Sequence, residues 1–574
     1  MDKEQKRTCL TFLSHTNSRT FAVSKQTMEV NSRERNKVWT PLFFSLVLVA
    51  GMVLGFNLRD SLRNKRDIAT VIQRNDRLEE IIGLIKEKYV DTVNTNLLYQ
   101  DAVTGILGPL DPHTVYIPAD ELQEVNNGLD GGFSGIGVEF SILRDTIEIT
   151  SVTENGPAAK AGIITGDQLL KVGDSLVAGT GITSEKIMSL LRGKQKSVVN
   201  VTLTQVGSGQ QRNVSITRDI VPIYSIDASI MADDRTGYIK INRFSATTYD
   251  EFTKALTQLK KEGATQMILD LRDNPGGYLD AATSISDDFL DNEKLIVYTT
   301  GRNSPRLEYR AKEKGMFEDG RLAILVDESS ASASEILAGA IQDWDRGVII
   351  GRRSYGKGLV QEQYEMPDGA ALRLTIAKYY TPSGRSIQRS FAQGRDAYHD
   401  DFEHRLENGE LTGKETVAPA DTTPYYTSRK RVVFGGGGIK PDVYVPYDTA
   451  SWSTPLLNMA FSDEMRTVIW DYFIKNRTTL KFKSIADFTN SFKGETQVIN
   501  NYIALLPPHK RNALLQHVAK PVHNRYFGTQ IKAQLARYLF RDNGYYSVKL
   551  KDDNVVNKAL VVLNGPEYAH IIGQ

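Results

Sequence analysis

Ser332, in the run Glu328-Ser329-Ser330-Ala331-Ser332-Ala333-Ser334-Glu335, follows the apolar segment LAILVD and precedes Ile336, Leu337, Ala340, Ile341 and Trp344 at helical spacing. Ser332-x-x-Glu335 fits a capping box, which on its own makes Ser332 an N-cap. A serine opening a helix behind a buried strand also places its oxygen at the positive end of the helix dipole, beside N–H groups able to stabilise an oxyanion. The position therefore permits a nucleophile as well as a cap. A nucleophilic serine needs a base. The eight histidines include none between His113 and His399, and His113, in Leu110–Ile117 (LDPHTVYI), reads as structural. Lysine is the alternative. Lys357 lies in Ser354-Tyr355-Gly356-Lys357-Gly358, ahead of apolar Leu359 and Val360; taken alone, a GKG segment is a solvated turn. A third segment, Leu271-Arg272-Asp273-Asn274-Pro275-Gly276-Gly277, is by itself a strand-to-helix turn, but its glycines let backbone N–H groups approach a ligand oxygen as an oxyanion hole requires.

These segments sit in a pattern that can position them. From Gly237 onward strands (GYIKI, QMILDL, LAILVD) alternate with helices, the first through Phe252, Leu256 and Leu259. That is α/β organisation, in which ligands sit at the carboxyl ends of strands. From Asp67 to about Leu107 apolar residues recur at helical spacing, and Asp111-Pro112 ends that pattern. Gly131 to about Val206 reads as short alternating strands with short helices starting near Pro157 and Ser184. Ser451 to Gln574 (MRTVIWDYF, NALLQHV, TQIKAQLARYLF) reads as helices, with short strands expected near the end.

With 574 residues the chain is multidomain at about 150 residues per domain. Its 70 basic and 69 acidic residues give no field that would attract nucleic acid. Cys9 is the only cysteine, so there is no intramolecular disulfide and no cysteine zinc site; no HExxH motif occurs either. No metal and no cofactor are expected. Pro41–Leu58 has 18 residues without a charge, about 27 Å of helix, which is enough to cross a bilayer core. Arg33, Arg35 and Lys37 precede it and Arg59, Arg63, Lys65 and Arg66 follow, so local charge does not fix orientation. The segment is read as an uncleaved signal anchor with the catalytic body exported. A start at Met28 would leave a conventional short basic leader.

Ser134-Gly135-Ile136-Gly137 and PAAKAGIITGDQLLKVGD resemble a PDZ domain of the protease-associated type. The resemblance implies that Ser134, Gly135, Ile136 and Gly137 bind a peptide C-terminus, the glycine-exposed N–H groups cradling its carboxylate while a strand edge adds the peptide. SASASEILAGAIQD, GRRSYGKGLVQ, ALRLTIAKYYTPSGRSIQ, GGIKPD, LDLRDNPGG and LDPHTVYI resemble the C-terminal processing (tail-specific) serine proteases, over about Leu110 to Pro446. In that family the first serine of SASE is the nucleophile, a lysine 25 residues on is the base, and a glutamine four further supports the lysine. Ser332, Lys357 and Gln361 fill these positions. The implied mechanism is acyl transfer, with backbone N–H groups of Ala333 and of Gly276 or Gly277 as the oxyanion hole and burial lowering the pKa of Lys357. Asp343 is the acidic neighbour that would oppose that lowering. Four strand residues span about 13 Å, so contact between Lys357 and Gln361 requires a bend near Gly358.

The expected fold is multidomain α/β and β: an N-terminal leader (1–40), a transmembrane anchor (41–58), a helical N-terminal segment of the protease body (59–130), an inserted PDZ domain (131–206), an α/β serine-protease core of the C-terminal processing type (207–447) and a mainly helical C-terminal domain (448–574). The expected activity is endoproteolysis of exported polypeptides with apolar C-termini, on the periplasmic side of an inner membrane, in a monomer or a homo-oligomer. The alternative is a membrane-anchored PDZ scaffold with an inactive protease-like body. One departure from the family pattern is an insertion of about 45 residues, 390–437, expected to bear on substrate access more than on chemistry.

Overall fold

The computed structural model describes residues 77–291, 293–414, 421–449 and 453–573. The leader, the anchor at 41–58 and Met28 lie outside the described residues, among which no helix is long and apolar enough to cross a membrane. The described part begins with the helices Arg77–Lys88 and Thr95–Leu107, as the apolar spacing predicts.

Six strands form the catalytic sheet, in the order Ile226–Met231, Thr236–Ile241, Gln266–Asp270, Arg321–Val326, Val348–Gly351 and Val443–Tyr444. The first pair is antiparallel and the remainder parallel. Parallel strands covered on both faces read as near-continuous apolar runs, and Thr236–Ile241, Gln266–Asp270 and Val348–Gly351 are buried at every position, the charges of Lys240 and Asp270 facing each other at 3.6 Å. One face is covered by Thr248–Lys261, Leu279–Asp287 and Ala333–Asp343. The other is covered by Asn554–Asn564, through Val555, Val556, Ala559, Val562 and Leu563. The end of the chain thus completes the protease core instead of belonging wholly to a separate C-terminal domain.

A second, five-stranded sheet has at its centre Ala371–Tyr380, which pairs with Leu359–Glu365, with Val115–Ile117 and with Leu295–Thr300; Leu307–Arg310 extends it. It is the scaffold for the lysine segment.

Six strands between Val138–Leu143 and Gln211–Thr217 form the PDZ sheet, the short Ser175–Leu176 pairing with Gln168–Val172 off its main path. It runs past the boundary expected at 206, because Gln211–Thr217 pairs along its length with Val198–Thr204. Val138–Leu143 is its edge strand. The strands Gly132–Gly135 and Asp219–Pro222 pair where the chain enters and leaves the domain.

The region after Ser453 is helical to its end among the described residues, so the short strands expected there do not form. Tyr545, Tyr546 and Val548, residues of high strand propensity, lie in the helix Pro521–Lys549, where packing against the helical core and the catalytic sheet overrides propensity. Leu143, at the tip of a PDZ hairpin, is buried in the core of this helical region, and the adjacent Arg144 makes a two-pronged ion pair with Asp471. The helical region therefore holds the PDZ domain by one end.

Candidate active site

Ser332 caps the helix Ala333–Asp343, every residue of which is buried. Its backbone is strained, at φ 54° and ψ −112°, a region costly for a residue with a side chain and tolerated where surroundings enforce it. The enforcing contacts come from the DNPGG turn. The Ala331 N–H and the Ser334 hydroxyl both donate to the Asn274 carbonyl, at 3.0 and 3.1 Å, while the Asn274 amide donates to Ile241 O. Gly276 is pressed against the serine: a Cβ there would lie 2.8 Å from Ser332 Cβ and 2.7 Å from Ala331 O, and its φ is +97°. Only glycine fits.

The expected oxyanion donors separate on inspection. The Gly276 N–H donates to Asn274 Oδ1 at 2.9 Å. The N–H groups of Gly277 and Ala333 have no hydrogen-bond partner among the described residues.

Glu335 does more than cap. Its carboxylate is fully buried and accepts from the N–H of Ser332 (2.9 Å), Lys357 (2.9 Å) and Gly356 (2.7 Å) and from the Ser354 hydroxyl (2.6 Å). Burial pushes its pKa up, against these four donors. The Tyr379 hydroxyl lies 3.1 Å from the Ser332 carbonyl and 2.7 Å from that of Lys357. The serine and lysine segments are therefore clamped together through both their N–H and their C=O groups. Neither clamp is legible in the sequence: Glu335 appears there only as a cap partner, and nothing in ALRLTIAKYY marks the reach of Tyr379.

Lys357 Nζ donates to Gln361 Oε1 at 2.9 Å, and Gln361 Nε2 donates to the His113 carbonyl at 2.5 Å. Lys357 and Gly358 stand ahead of the strand Leu359–Glu365, so the contact does not run along regular strand. Burial first, then the Arg373 guanidinium, holds Lys357 below the ordinary lysine pKa, against Asp111 and Glu335. Among the described residues no carboxylate forms an ion pair with it. Asp343, the acidic neighbour in sequence, is instead paired with Arg385 at 2.7 Å. No direct Ser332 Oγ to Lys357 Nζ hydrogen bond is present; such bonds commonly tighten only when substrate binds. Burial lowers the His113 pKa to about 4, with Lys357 as the next cause.

In the PDZ domain Ile136 is buried within the core, 4% exposed, and Phe133 lies against Gly135. Gly137 has φ +77°, and the Ser134 hydroxyl is buried without a partner. No group of three or more His, Cys, Asp or Glu that could hold a metal occurs among the described residues.

The family model for peptidase family S41 matches residues 235–394, and that for the PDZ domain matches 134–217. A carboxy-terminal-processing protease of Bartonella bacilliformis is 34% identical over 317 residues, 54% of this chain and 72% of that one. A carboxyl-terminal-processing protease of a Picosynechococcus species is 36% identical over 314 residues, covering 53% and 74%. Among solved structures, a photosystem II D1 C-terminal processing protease is 28% identical and aligns with 54% of this chain and 89% of its own, with a TM-score of 0.31. The chain is thus a serine peptidase carrying a PDZ domain. It belongs to the carboxy-terminal-processing proteases of peptidase family S41.

Proposed function

We propose that the protein is an endopeptidase in which Ser332 is the nucleophile and Lys357 the general base. Neutral Lys357 takes the Ser332 hydroxyl proton as Oγ attacks the scissile carbonyl. The oxyanion is received by the N–H groups of Gly277 and Ala333, since that of Gly276 is held by Asn274. Protonated Lys357 then gives its proton to the departing amine, leaving an acyl-enzyme. Water attacks the ester with Lys357 again as base, releasing the new C-terminus and restoring the serine. Gln361 accepts one amine hydrogen, which orients the lone pair.

The observation that carries this reading is a buried lysine without an ion-pair partner among the described residues, clamped to a strained serine by Glu335 and Tyr379. We further propose that the segment 41–58 anchors the protein in a membrane with the catalytic body on the periplasmic side, and that the PDZ domain engages apolar polypeptide C-termini through the loop 134–137. The test of the chemistry is degradation of an unstructured protein by a soluble fragment, wild type beside Ser332→Ala and Lys357→Ala. Activity in both variants at the wild-type rate would exclude the pair.

A further inference from the structure

The first helix of the insertion 390–437, Arg395–His399, packs beside the lysine segment: the Tyr398 hydroxyl lies 3.5 Å from the Gly356 carbonyl. The same helix brings Tyr398, 2% exposed, to within 2.9 Å of His113 Nε2. The Tyr398 ring packs edge-on to His113 and Tyr355, at centroid distances of 5.3 and 5.8 Å, with the Arg389 guanidinium 4.0 Å from its centre. Arg395 donates to the Asp111 carbonyl at 3.0 Å, and so grips the loop that carries His113.

From Tyr398 the hydrogen bonds run in both directions to the lysine. On one side its hydroxyl meets the His113 ring, whose backbone carbonyl accepts from Gln361, whose side chain accepts from Lys357 Nζ. On the other side the hydroxyl accepts from Gln388 Nε2 at 3.4 Å, and Gln388 Oε1 accepts from the N–H of Gly358 at 2.8 Å. The path closes on the residue adjoining Lys357. His113 is neutral near neutral pH, so its Nε2 can accept the Tyr398 proton, and burial keeps the phenol protonated. A fixed acceptor for Lys357 requires a fixed Gln361, and Gln361 is held on its far side by His113.

We infer that Tyr398 is a positioning residue for catalysis: the insertion's phenol fixes His113 and Gln388, and through them the Gln361 acceptor that orients Lys357. This rests on Lys357 being the base. The role is invisible in the sequence because Tyr398 lies 41 positions beyond Lys357, past the end of the match to the peptidase family model at residue 394.

The test compares Tyr398→Phe, which keeps the ring and removes the hydroxyl, with wild type on a short peptide. A misplacement of the order of 1 Å at a reacting group lowers rate by about 100-fold, so kcat is expected to fall between about 10- and 100-fold, with KM within about twofold and the melting temperature nearly unchanged. His113→Phe, which removes the ring acceptor by a different substitution, is expected to match it. In a Gln361→Ala background, where the oriented acceptor is already gone, Tyr398→Phe is expected to lower kcat less than about threefold. Unchanged kcat in both single variants, or an undiminished loss in the Gln361→Ala background, overturns the inference. Lys357→Ala in parallel separates the two failures: an active Lys357→Ala removes the base assignment itself, whereas an inactive one beside a fully active Tyr398→Phe removes only the role of Tyr398.

Discussion

Lys357 Nζ reaches Gln361 Oε1 at 2.9 Å although four residues of regular strand would separate the two by about 13 Å. Lys357 stands ahead of the strand, which begins at Leu359, so regular strand spacing does not hold the two apart. An amine held this way has one hydrogen committed to an uncharged acceptor, so the contact orients it without the favourable charge that a carboxylate would offer its protonated form. Orientation and a lowered pKa are thereby compatible.

Ser332→Ala is expected to lower peptide hydrolysis by at least about 10⁴-fold and to abolish labelling by a fluorophosphonate. The fold should survive, because Glu335 grips the Ser332 backbone N–H and not its hydroxyl. Circular dichroism and a melting curve beside the assay check both halves; residual labelling would move the assignment to another serine.

Lys357→Ala and Lys357→Arg are both expected to be inactive, since a guanidinium stays protonated and cannot accept the serine proton. In wild type the acylation rate should rise with pH as Lys357 loses its proton, the limb lying below the ordinary lysine range because burial favours the neutral amine. A His113→Phe variant should be slower with its limb in place, because His113 with a pKa of about 4 is already neutral there. Loss of the limb in that variant would make the imidazole the base.

His113 also predicts an acid-sensitive stability. Its pKa is about 4 folded against 6.5 ordinarily, so between these values the unfolded chain binds the proton and the folded chain does not. The contribution is complete above pH 6.5 and is lost as pH falls towards 4. Denaturant melts at pH 7 and pH 4.5 should show His113→Leu losing less stability across that interval than wild type, by about 2 kcal/mol. Equal losses in the two proteins would contradict a buried neutral imidazole.

Gly276→Ala tests the contact between the DNPGG turn and the serine. The added Cβ meets Ala331 O, Ser332 Cβ and Ala333 N at 2.7–3.0 Å in a backbone region unfavourable to alanine. A loss of about 1–3 kcal/mol in stability and at least about 100-fold in kcat is expected. Retained kcat would mean that the turn does not shape the oxyanion site.

Ser332, Lys357 and Gln361 stand out through the resemblance of the segments that carry them to a known family; taken alone, Ser332 reads also as a cap and Lys357 as a solvated turn. The elements around them were legible where their apolar pattern had one strong period, as in LAILVD and the helix after Ser332. Contacts that depend on chain segments brought together from a distance were not. Glu335 bonds residues up to 22 positions later, and Asn554–Asn564 covers a sheet that begins more than 300 residues earlier. The short strands expected near the end do not form for the same reason: burial there is decided by partners that the segment itself does not contain.

The remaining prediction concerns the PDZ domain. If the N–H groups of Ser134 to Gly137 receive a terminal carboxylate, the peptide would lie along Val138–Leu143, the edge strand of the sheet. The buried, unpartnered Ser134 hydroxyl is a further donor beside that loop. Amidation of a substrate removes the charge that such donors satisfy, and a charged last side chain must give up water to enter the site. A free-acid substrate with an apolar end should therefore have a KM several-fold below its amidated and terminal-Asp versions, with kcat less affected. Deleting the domain cannot isolate this effect, because Leu143 is part of the helical region's core. The measurement is instead made in the intact protein, by cleavage of all three substrates with and without a short apolar competitor peptide. The competitor with a free carboxylate should raise KM for the free-acid substrate towards that of the amidated one if the loop only tethers. If it accelerates cleavage of all three, occupancy of the domain opens the site. Equal KM values for the three tails, unaffected by competitor, would show that the loop does not read chain ends.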